Sequence, residues 1–387
     1  MAVTREEVAE FRGVLSGREY VSGLTHAFYR YPARFSPAFA RRAITAFSRP
    51  GETVLDPFAG GGTTVVEALA SGRRAIGVDL NSLAIFVVRS KTSPLSARES
   101  DAVRRWTDLL SVNGWGSLRR TPAFGELAKD IPIRVQRTIA GGLRFAEDAP
   151  RRARQFIRAV LLRVCQQAID GREEIASTRE VIAAARVNAI QMLDQLEDFR
   201  RGVLASKLVS PSAISRARRL IYGDAANLRA RDLPMGWQKP RLVVTSPPYM
   251  GIHVLYNKWQ VNGRRETKFP YAISGTPDGY FASRYTFGDR QREPELYLGR
   301  LAKAYSGVRR LLAKDALVVQ LVSFSQPTTQ LPLFLEAMVE AGFEEVLPPR
   351  TRRVWRPVPN RRWYYRAVDR EEPESREVLL FHRPTRP

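Results

Sequence analysis

At 387 residues and 44% hydrophobic content, the chain is long enough to bury a full core, as one large domain with an insertion or as two modest domains. Its 62 Lys plus Arg against 39 Asp plus Glu give a formal charge of +23, an excess that favours a polyanionic partner, either nucleic acid or an anionic membrane surface. The single Cys165 excludes intrachain disulfides and multi-thiolate zinc, three His argue against a metal centre, and neither a run of ~18 apolar residues nor a secretion signal is seen, so a soluble cytoplasmic protein without a membrane partner is expected.

In chain order, "YPARFSPAFARRAITAF" (31–47) predicts a helix with Ser36 at the N-cap and Pro37 at its first position. In "GETVLDPFAGGGTTVVEALASGRRAIGVDLN" (51–81), Val54 and Leu55 lead into Asp56. A glycine run at Gly60, Gly61 and Gly62 follows, then a helix from about Thr63 to Ala70 and a second apolar strand ending at Asp79. Strand, glycine turn, helix and strand make the βαβ unit of a parallel sheet.

Residues 96–215 read as a basic helical block. Phe156, Val160, Val164 and Ala168 form an apolar stripe, with Arg151, Arg154 and Arg158 on another face. "STREVIAAARVNAIQMLDQLEDF" opens with a capping box, Ser177 to Glu180, and carries Ile182, Ala185, Ala189, Met192, Leu196 and Phe199 at helical spacing. The arginines suit a solvated face and a DNA-contacting face equally.

The α/β pattern resumes at Leu220 with "LIYGDAANL". It continues through "RLVVTSPPY", a helix around 295–313, the strand "ALVVQLVSF", the helix "LPLFLEAMVEAGF" and a last strand, "EVLLFHR". The core is therefore split into 1–95 and 216–387 around an insertion at 96–215.

Glycines after a first strand let backbone approach a ligand, and an acid ending the second strand suits ribose hydroxyls. Asp79 stands at that place. The turn lacks the lysine of a phosphate-binding loop and the third glycine of the dinucleotide fingerprint, so a nucleoside without a phosphate chain fits better. In "VVTSPPYMG" (243–251), a β-branched run meets two prolines, which stop sheet pairing and free the carbonyls of Ser246 and Pro247. A rigid turn offering a hydroxyl, bare carbonyls and the ring of Tyr249 suits a flat polar substrate, though a strand-ending turn with a packing tyrosine would look the same.

"DPFAGGGTT", the acid at Asp79, "GDA" at 223–225 and "TSPPY" occur in that order. In this the chain resembles the S-adenosylmethionine-dependent DNA methyltransferases that modify cytosine N4 or adenine N6. The resemblance implies a doubly wound, mostly parallel, Rossmann-like α/β sheet, with 96–215 as a helical insertion. It gives Asp56, Pro57, Phe58 and the Ala59–Gly62 backbone the methionine end of S-adenosyl-L-methionine, with Thr63 and Thr64 beside it. Asp79, followed by Leu80, takes the ribose, Asp224 with Ala225 takes the adenine, and Phe35, Ser36 and Pro37 close over the carboxylate. Ser246 and Pro247 accept the two N–H groups of the target amine, with Pro248 stiffening the turn and Tyr249 stacking on a flipped base. Asp224 as a helix cap and Phe35 as a packing ring are the plain alternatives.

Cytosine C5 chemistry needs a cysteine nucleophile, usually after proline in this fold; Cys165 follows Val164 inside a helix and reads as a core residue. Basic and aromatic residues downstream of the Pro-Pro-Tyr motif (Tyr256, Lys258, Trp259, Arg264, Arg265 and Lys268) are candidates for duplex DNA contact. The segment 350–366 has similar character. Serine before Pro-Pro-Tyr is commoner among cytosine-N4 enzymes of the family, which favours N4 over adenine N6. An RNA amino-methyltransferase and a non-catalytic nucleic-acid-binding regulator are the rivals. A restriction endonuclease is a candidate partner. The insertion lies where the family does not usually keep its recognition region, so sequence reading, duplex holding and a partner interface all stand as its role.

Overall fold

Strand β1 (Thr53–Asp56) is flanked in parallel by β2 (Arg74–Asp79) and β4 (Leu242–Thr245). Every residue of β1 and β4 is buried, which a parallel sheet covered on both faces requires of its strands. The computed structural model describes residues 3–17, 22–31, 35–110, 124–172, 174–206, 211–249, 259–261, 265–277, 294–357 and 376–385.

The eight-stranded sheet runs β3-β2-β1-β4-β7-β10-β8, with β9 also pairing β10. Here β3 is Arg218–Tyr222, β7 Leu317–Phe324, β8 Phe343–Glu345, β9 Val354–Pro357 and β10 Arg376–Pro384. Strands β1 to β4 and β7 are mutually parallel, while β10 runs antiparallel to β7, β8 and β9. The expected mostly parallel, doubly wound sheet is therefore present. Its strand order reverses between β1 and β4, and in open α/β sheets that switch point is where ligands bind, beyond the carboxyl ends of the strands.

The two sheet faces divide the apolar side chains by strand alternation. Val54, Leu242 and Val244 join the core that also takes Val8, Phe11 and Leu15 of α1 (Arg5–Ser16), beneath α2 (Pro37–Phe47), α3 (Thr63–Ala70) and α4 (Ser82–Lys91). Leu55, Val243 and Val318 face the other way, with the long helix Pro294–Leu311 and the helix Pro327–Glu340.

Where it is described, the inserted segment is built mainly of helices joined by turns, with one isolated bridge from Arg172 to Val261. It contains α5 (Ala97–Leu109), α6 (Ile133–Arg144), α7 (Arg151–Ile169), α8 (Thr178–Ala205) and the short α9 (Pro211–Arg216). Its apolar stripes merge into the first core, with Phe156 edge-on to Phe28 at 5.8 Å. The insertion is thus packed onto the sheet rather than carried as a separate body. The Ser177–Glu180 capping box forms as expected. Arg158 is not a free surface charge: its guanidinium donates to the Ile273 carbonyl at 2.7 Å.

The stretch after Pro-Pro-Tyr departs from the expected surface loop where it is described. Strands β5 (Trp259–Val261) and β6 (Arg265–Thr267) form a hairpin, and α10 (Phe269–Ser274) follows. Trp259, Phe269 and Tyr271 are buried there, as large aromatic side chains that reach a core usually are. Among the described residues no helix is long and apolar enough to cross a membrane.

Candidate active site

The glycine turn leaves β1 at the switch point. Gly60 and Gly62 take positive φ, +46° and +77°, a region that favours glycine. A Cβ at Gly62 would stand 2.6 Å from a Val88 methyl, and one at Gly60 or Gly61 would stand 3.0 Å from Tyr31. Bulk is therefore excluded from inside the turn, and Tyr31 lies against it. Ala59 N–H donates to the Val78 carbonyl at 2.9 Å, tying the turn to β2, and the buried Lys91 ammonium donates to the Gly61 carbonyl at 2.7 Å. Phe58 packs on Tyr305, 6.0 Å between ring centres, and Pro57 precedes it in the turn. Thr63 and Thr64 open α3, where Thr64 donates to the Val244 carbonyl at 2.9 Å.

Two carboxylates frame this turn. Asp56 is buried and accepts from the Thr245 hydroxyl at 2.7 Å and from Phe58 N–H at 3.2 Å, joining the ends of β1 and β4. Burial raises its pKa to about 7 despite those donors. Asp79 accepts from Gly60 N–H at 2.7 Å and Asn81 N–H at 2.8 Å, and burial raises it to about 6. Leu80, next in the chain, is half-buried. Asn81 Nδ2 is buried without a partner among the described residues, a donor in want of an acceptor beside Asp79. Glycine backbone, two acids and an unsatisfied amide form a donor and acceptor set that fits a cationic nucleoside.

Asp224 accepts from Ala226 N–H at 2.8 Å and caps the 3-10 turn Ala225–Asn227, with Ala225 buried. Its capping role is therefore in place alongside the adenine role proposed for it. Phe35 packs edge-on against Phe39 at 5.3 Å, Ser36 accepts from Phe39 N–H at 3.2 Å, and Pro37 starts α2. These three are engaged in building α2.

At the end of β4, Ser246 is half-buried while Pro247 and Tyr249 are buried. The Ser246 hydroxyl donates to the Tyr249 hydroxyl at 2.9 Å, which in turn donates to Glu377 Oε1 at 2.9 Å. Tyr297 donates to the Pro248 carbonyl at 2.6 Å. Tyr249 is only 3% exposed, and a base stacks on its ring only after the groups covering it give way.

Of the six candidate DNA contacts, Tyr256, Lys258 and Arg264 lie outside the described residues, as does the side chain of Arg265 in β6. Lys268 is half-buried just before α10. Trp259 is a correction: it is buried, its indole N–H donates to the Tyr29 hydroxyl at 2.9 Å, and it braces the hairpin rather than facing a duplex. Of the segment 350–366, only 350–357 is described, and Arg356 there pairs with Glu377.

An open basic cleft of about 410 Å³, lined by Ala27, Arg30, Arg163, Gln166, Gln167, Asp170 and Arg172, lies between α7 and the turn preceding Tyr31. Arg30 and Arg172 are exposed there. Residues beside the candidate site that the sequence did not single out are Tyr31 and Lys91 at the glycine turn, Gly307 against the Ala225 backbone, and Glu377 bonded to Tyr249. A glycine inside a long helix pattern was a readable signal for Gly307; the others carry none.

Residues 10–86 match the profile of a family described as DNA methylase, of the N6/N4 class. The DNA adenine methyltransferase YhdJ of Escherichia coli (strain K12) is 46% identical over 59 residues, 15% of this chain and 20% of that protein. The type II methyltransferase M.MvaI of Kocuria varians is 39% identical over 75 residues, 19% of this chain and 16% of that protein. The aligned stretches thus span a fifth or less of these relatives. The rRNA methyltransferase aviRa from Streptomyces viridochromogenes aligns over 92% of this chain and 89% of its own at 12% identity, with a TM-score of 0.33 that carries no functional inference. Over residues 10–86 the chain is similar to a DNA methylase family of the N6/N4 class, and that similarity implies S-adenosylmethionine as the cofactor.

Proposed function

We propose that this protein transfers a methyl group from S-adenosylmethionine to an exocyclic amino group of a flipped DNA base, with cytosine N4 as the target. One observation carries the reading. A glycine turn flanked by Asp56 and Asp79 meets, across the β1/β4 switch point, a turn whose Ser246 hydroxyl oxygen and Pro247 carbonyl are acceptors. The turn backbone, Asp56 and Asp79 would hold the cofactor's methionine and ribose, with Asp224 and Ala225 at its adenine. When bound, the cofactor supplies an electrophilic methyl on a sulfonium.

The chain's part is to make a poor nucleophile competent. An exocyclic amine is planar because its lone pair is delocalised into the base ring. Acceptors for both N–H groups, one at Ser246 and one at Pro247, favour the pyramidal form whose lone pair projects out of the ring plane. Duplex DNA hides that amine, so the base must leave the stack. Unstacking costs a few kcal/mol, roughly, and contact with Tyr249 would offset part of it.

Serine before Pro-Pro-Tyr, commoner among the cytosine-N4 enzymes of the family that this chain resembles, favours cytosine N4. The similarity to an adenine methyltransferase favours adenine N6 as the second reading. Mass spectrometry of nucleosides from DNA incubated with protein and cofactor separates them. N4-methylcytosine is expected; N6-methyladenine alone would move the target base, and methylation of RNA alone would overturn the DNA assignment.

The charge of +23 and the basic cleft support a polyanion as substrate. Raising salt from about 50 to about 200 mM is expected to weaken DNA binding by orders of magnitude. If Arg30 and Arg172 each contact a phosphate, Arg30→Gln with Arg172→Gln lowers the salt slope by about 2. A titration series showing an unchanged slope would remove the cleft from the interface.

A further inference from the structure

The Ser246 hydroxyl stands at one end of a chain of side chains that closes the carboxyl edge of the sheet. It donates to the Tyr249 hydroxyl, and Tyr249 donates to Glu377 Oε1, each at 2.9 Å. Arg356, opposite Glu377 on the neighbouring strand, donates to the other carboxylate oxygen, Nε at 2.7 Å and Nη2 at 2.6 Å. Glu377 is 5% exposed and Tyr249 3%. The direction of the chain is chemically fixed at its far end, because an ion-paired carboxylate only accepts and a guanidinium only donates.

We propose that Glu377 is a positioning residue for amine methylation. By taking the Tyr249 hydrogen it draws the Ser246 hydrogen away from the substrate and leaves Ser246 Oγ as an acceptor. The inference rests on the amino-methyltransferase reading. A serine hydroxyl holds one hydrogen and two lone pairs, and it turns to whichever partner is offered. Turned toward the target amine, it would donate into the lone pair that must attack. A carboxylate at position 246 could only accept; serine needs the direction imposed, and Glu377 imposes it through Tyr249. Arg356 belongs to the device because it holds the carboxylate in place. The same chain accounts for why a buried charged residue stands at the start of β10, just before the buried Val378, Leu379, Leu380 and Phe381.

Two single variants and their double test this. In Glu377→Gln, Arg356 claims the amide oxygen, the amide N–H₂ faces Tyr249, and the donor direction along the chain reverses. Tyr249→Phe deletes one oxygen and cuts the chain while keeping a ring. With labelled S-adenosylmethionine and genomic DNA, each single variant is expected to lower kcat about tenfold, which is about 1.4 kcal/mol, within the range of a lost hydrogen bond. Cofactor Kd by calorimetry should stay near wild type in both, and both should keep a cooperative melting transition, lower in Glu377→Gln because Arg356 loses its counter-charge. The double variant should be no slower than the slower single, since both break one chain. Wild-type kcat in either single, or losses that multiply in the double, would overturn the role of Glu377. So would a kcat loss accompanied by an equal loss of cofactor affinity, which marks a merely structural residue. A wild-type protein that methylates neither DNA nor RNA would instead sink the methyltransferase reading, and this proposal with it.

Discussion

Gly307→Ala is expected to lower stability by at least about 3 kcal/mol, the upper end for an overpacked core, and to weaken cofactor binding together with it. Gly307 lies in the long helix Pro294–Leu311, and a Cβ there would stand 2.0 Å from the Ala225 carbonyl oxygen and 2.9 Å from the Ala226 carbonyl carbon. Both are backbone atoms, so no side-chain rotation relieves the clash. The helix is pinned from behind by the fully buried Tyr305 and Val308. The turn is pinned by Arg310, which donates to the Leu228 carbonyl at 3.0 Å. One of the two must move, and either movement shifts Asp224, which caps that turn. Gly299 in the same helix is the control: a Cβ there meets nothing within 4 Å. Gly299→Ala should therefore be neutral or slightly stabilising, since alanine is the better helix former by about 1 kcal/mol. Calorimetric melting and cofactor titration of both variants check the claim. A Gly307→Ala protein that melts with wild type would refute the close approach.

What was legible in the sequence is what local chemistry punctuates. Glycine run, flanking acids and apolar runs bracket β1, α3 and β2, and the expected helix Thr63–Ala70 coincides with the observed one. Ser36 with Pro37, and Ser177 with Glu180, mark helix starts because they satisfy backbone N–H groups that no helix satisfies for itself. The start of the helix Pro327–Glu340 was placed late, at Leu331, although Pro327 at its first turn is the same signal as Pro37.

The hairpin at 259–267 was read as a DNA-facing loop because three-residue strands are too short to establish a period of two. Once Trp259, Val261 and Thr267 are seen on one buried face, the pairing is evident. Strands β8 and β9 are likewise three and four residues long and exist through pairing with β10. Glu377 was beyond sequence reasoning for a different reason. Its meaning depends on Tyr249, 128 residues earlier in the chain, and nothing local distinguishes it from a surface glutamate at a strand end.

Cofactor affinity is expected to fall roughly five-hundredfold between about pH 7 and about pH 5, about fiftyfold from Asp56 and about tenfold from Asp79, if both must ionise on binding. In the ligand-free protein burial raises Asp56 from 3.8 to about 7 and Asp79 from 3.8 to about 6. The donors facing Asp56 are Thr245, Phe58 N–H and Thr64, with Asp79 opposing ionisation; those facing Asp79 are Asn81 and Gly60 N–H. No cationic side chain is among them, so the cofactor's cationic methionine end would be the counter-charge Asp56 lacks, and the ribose hydroxyls would be the donors that favour ionised Asp79. The sign for folding runs opposite to the sign for binding. Between 3.8 and about 6 to 7 the folded protein holds protons that the unfolded chain has released, so the contribution of these two acids is lost as pH rises through that window. His382, buried and lowered from 6.5 to about 4, acts in the other direction, its contribution disappearing as pH falls through that interval. Because these terms overlap in a melting curve, the measurement is a difference: the cofactor-induced rise in melting temperature, wild type against Asp56→Asn, across the pH range. The wild-type rise should grow with pH, and the asparagine variant should lose the part of that growth above about pH 6. An equal rise at every pH in wild type would show that neither carboxylate ionises as the cofactor binds.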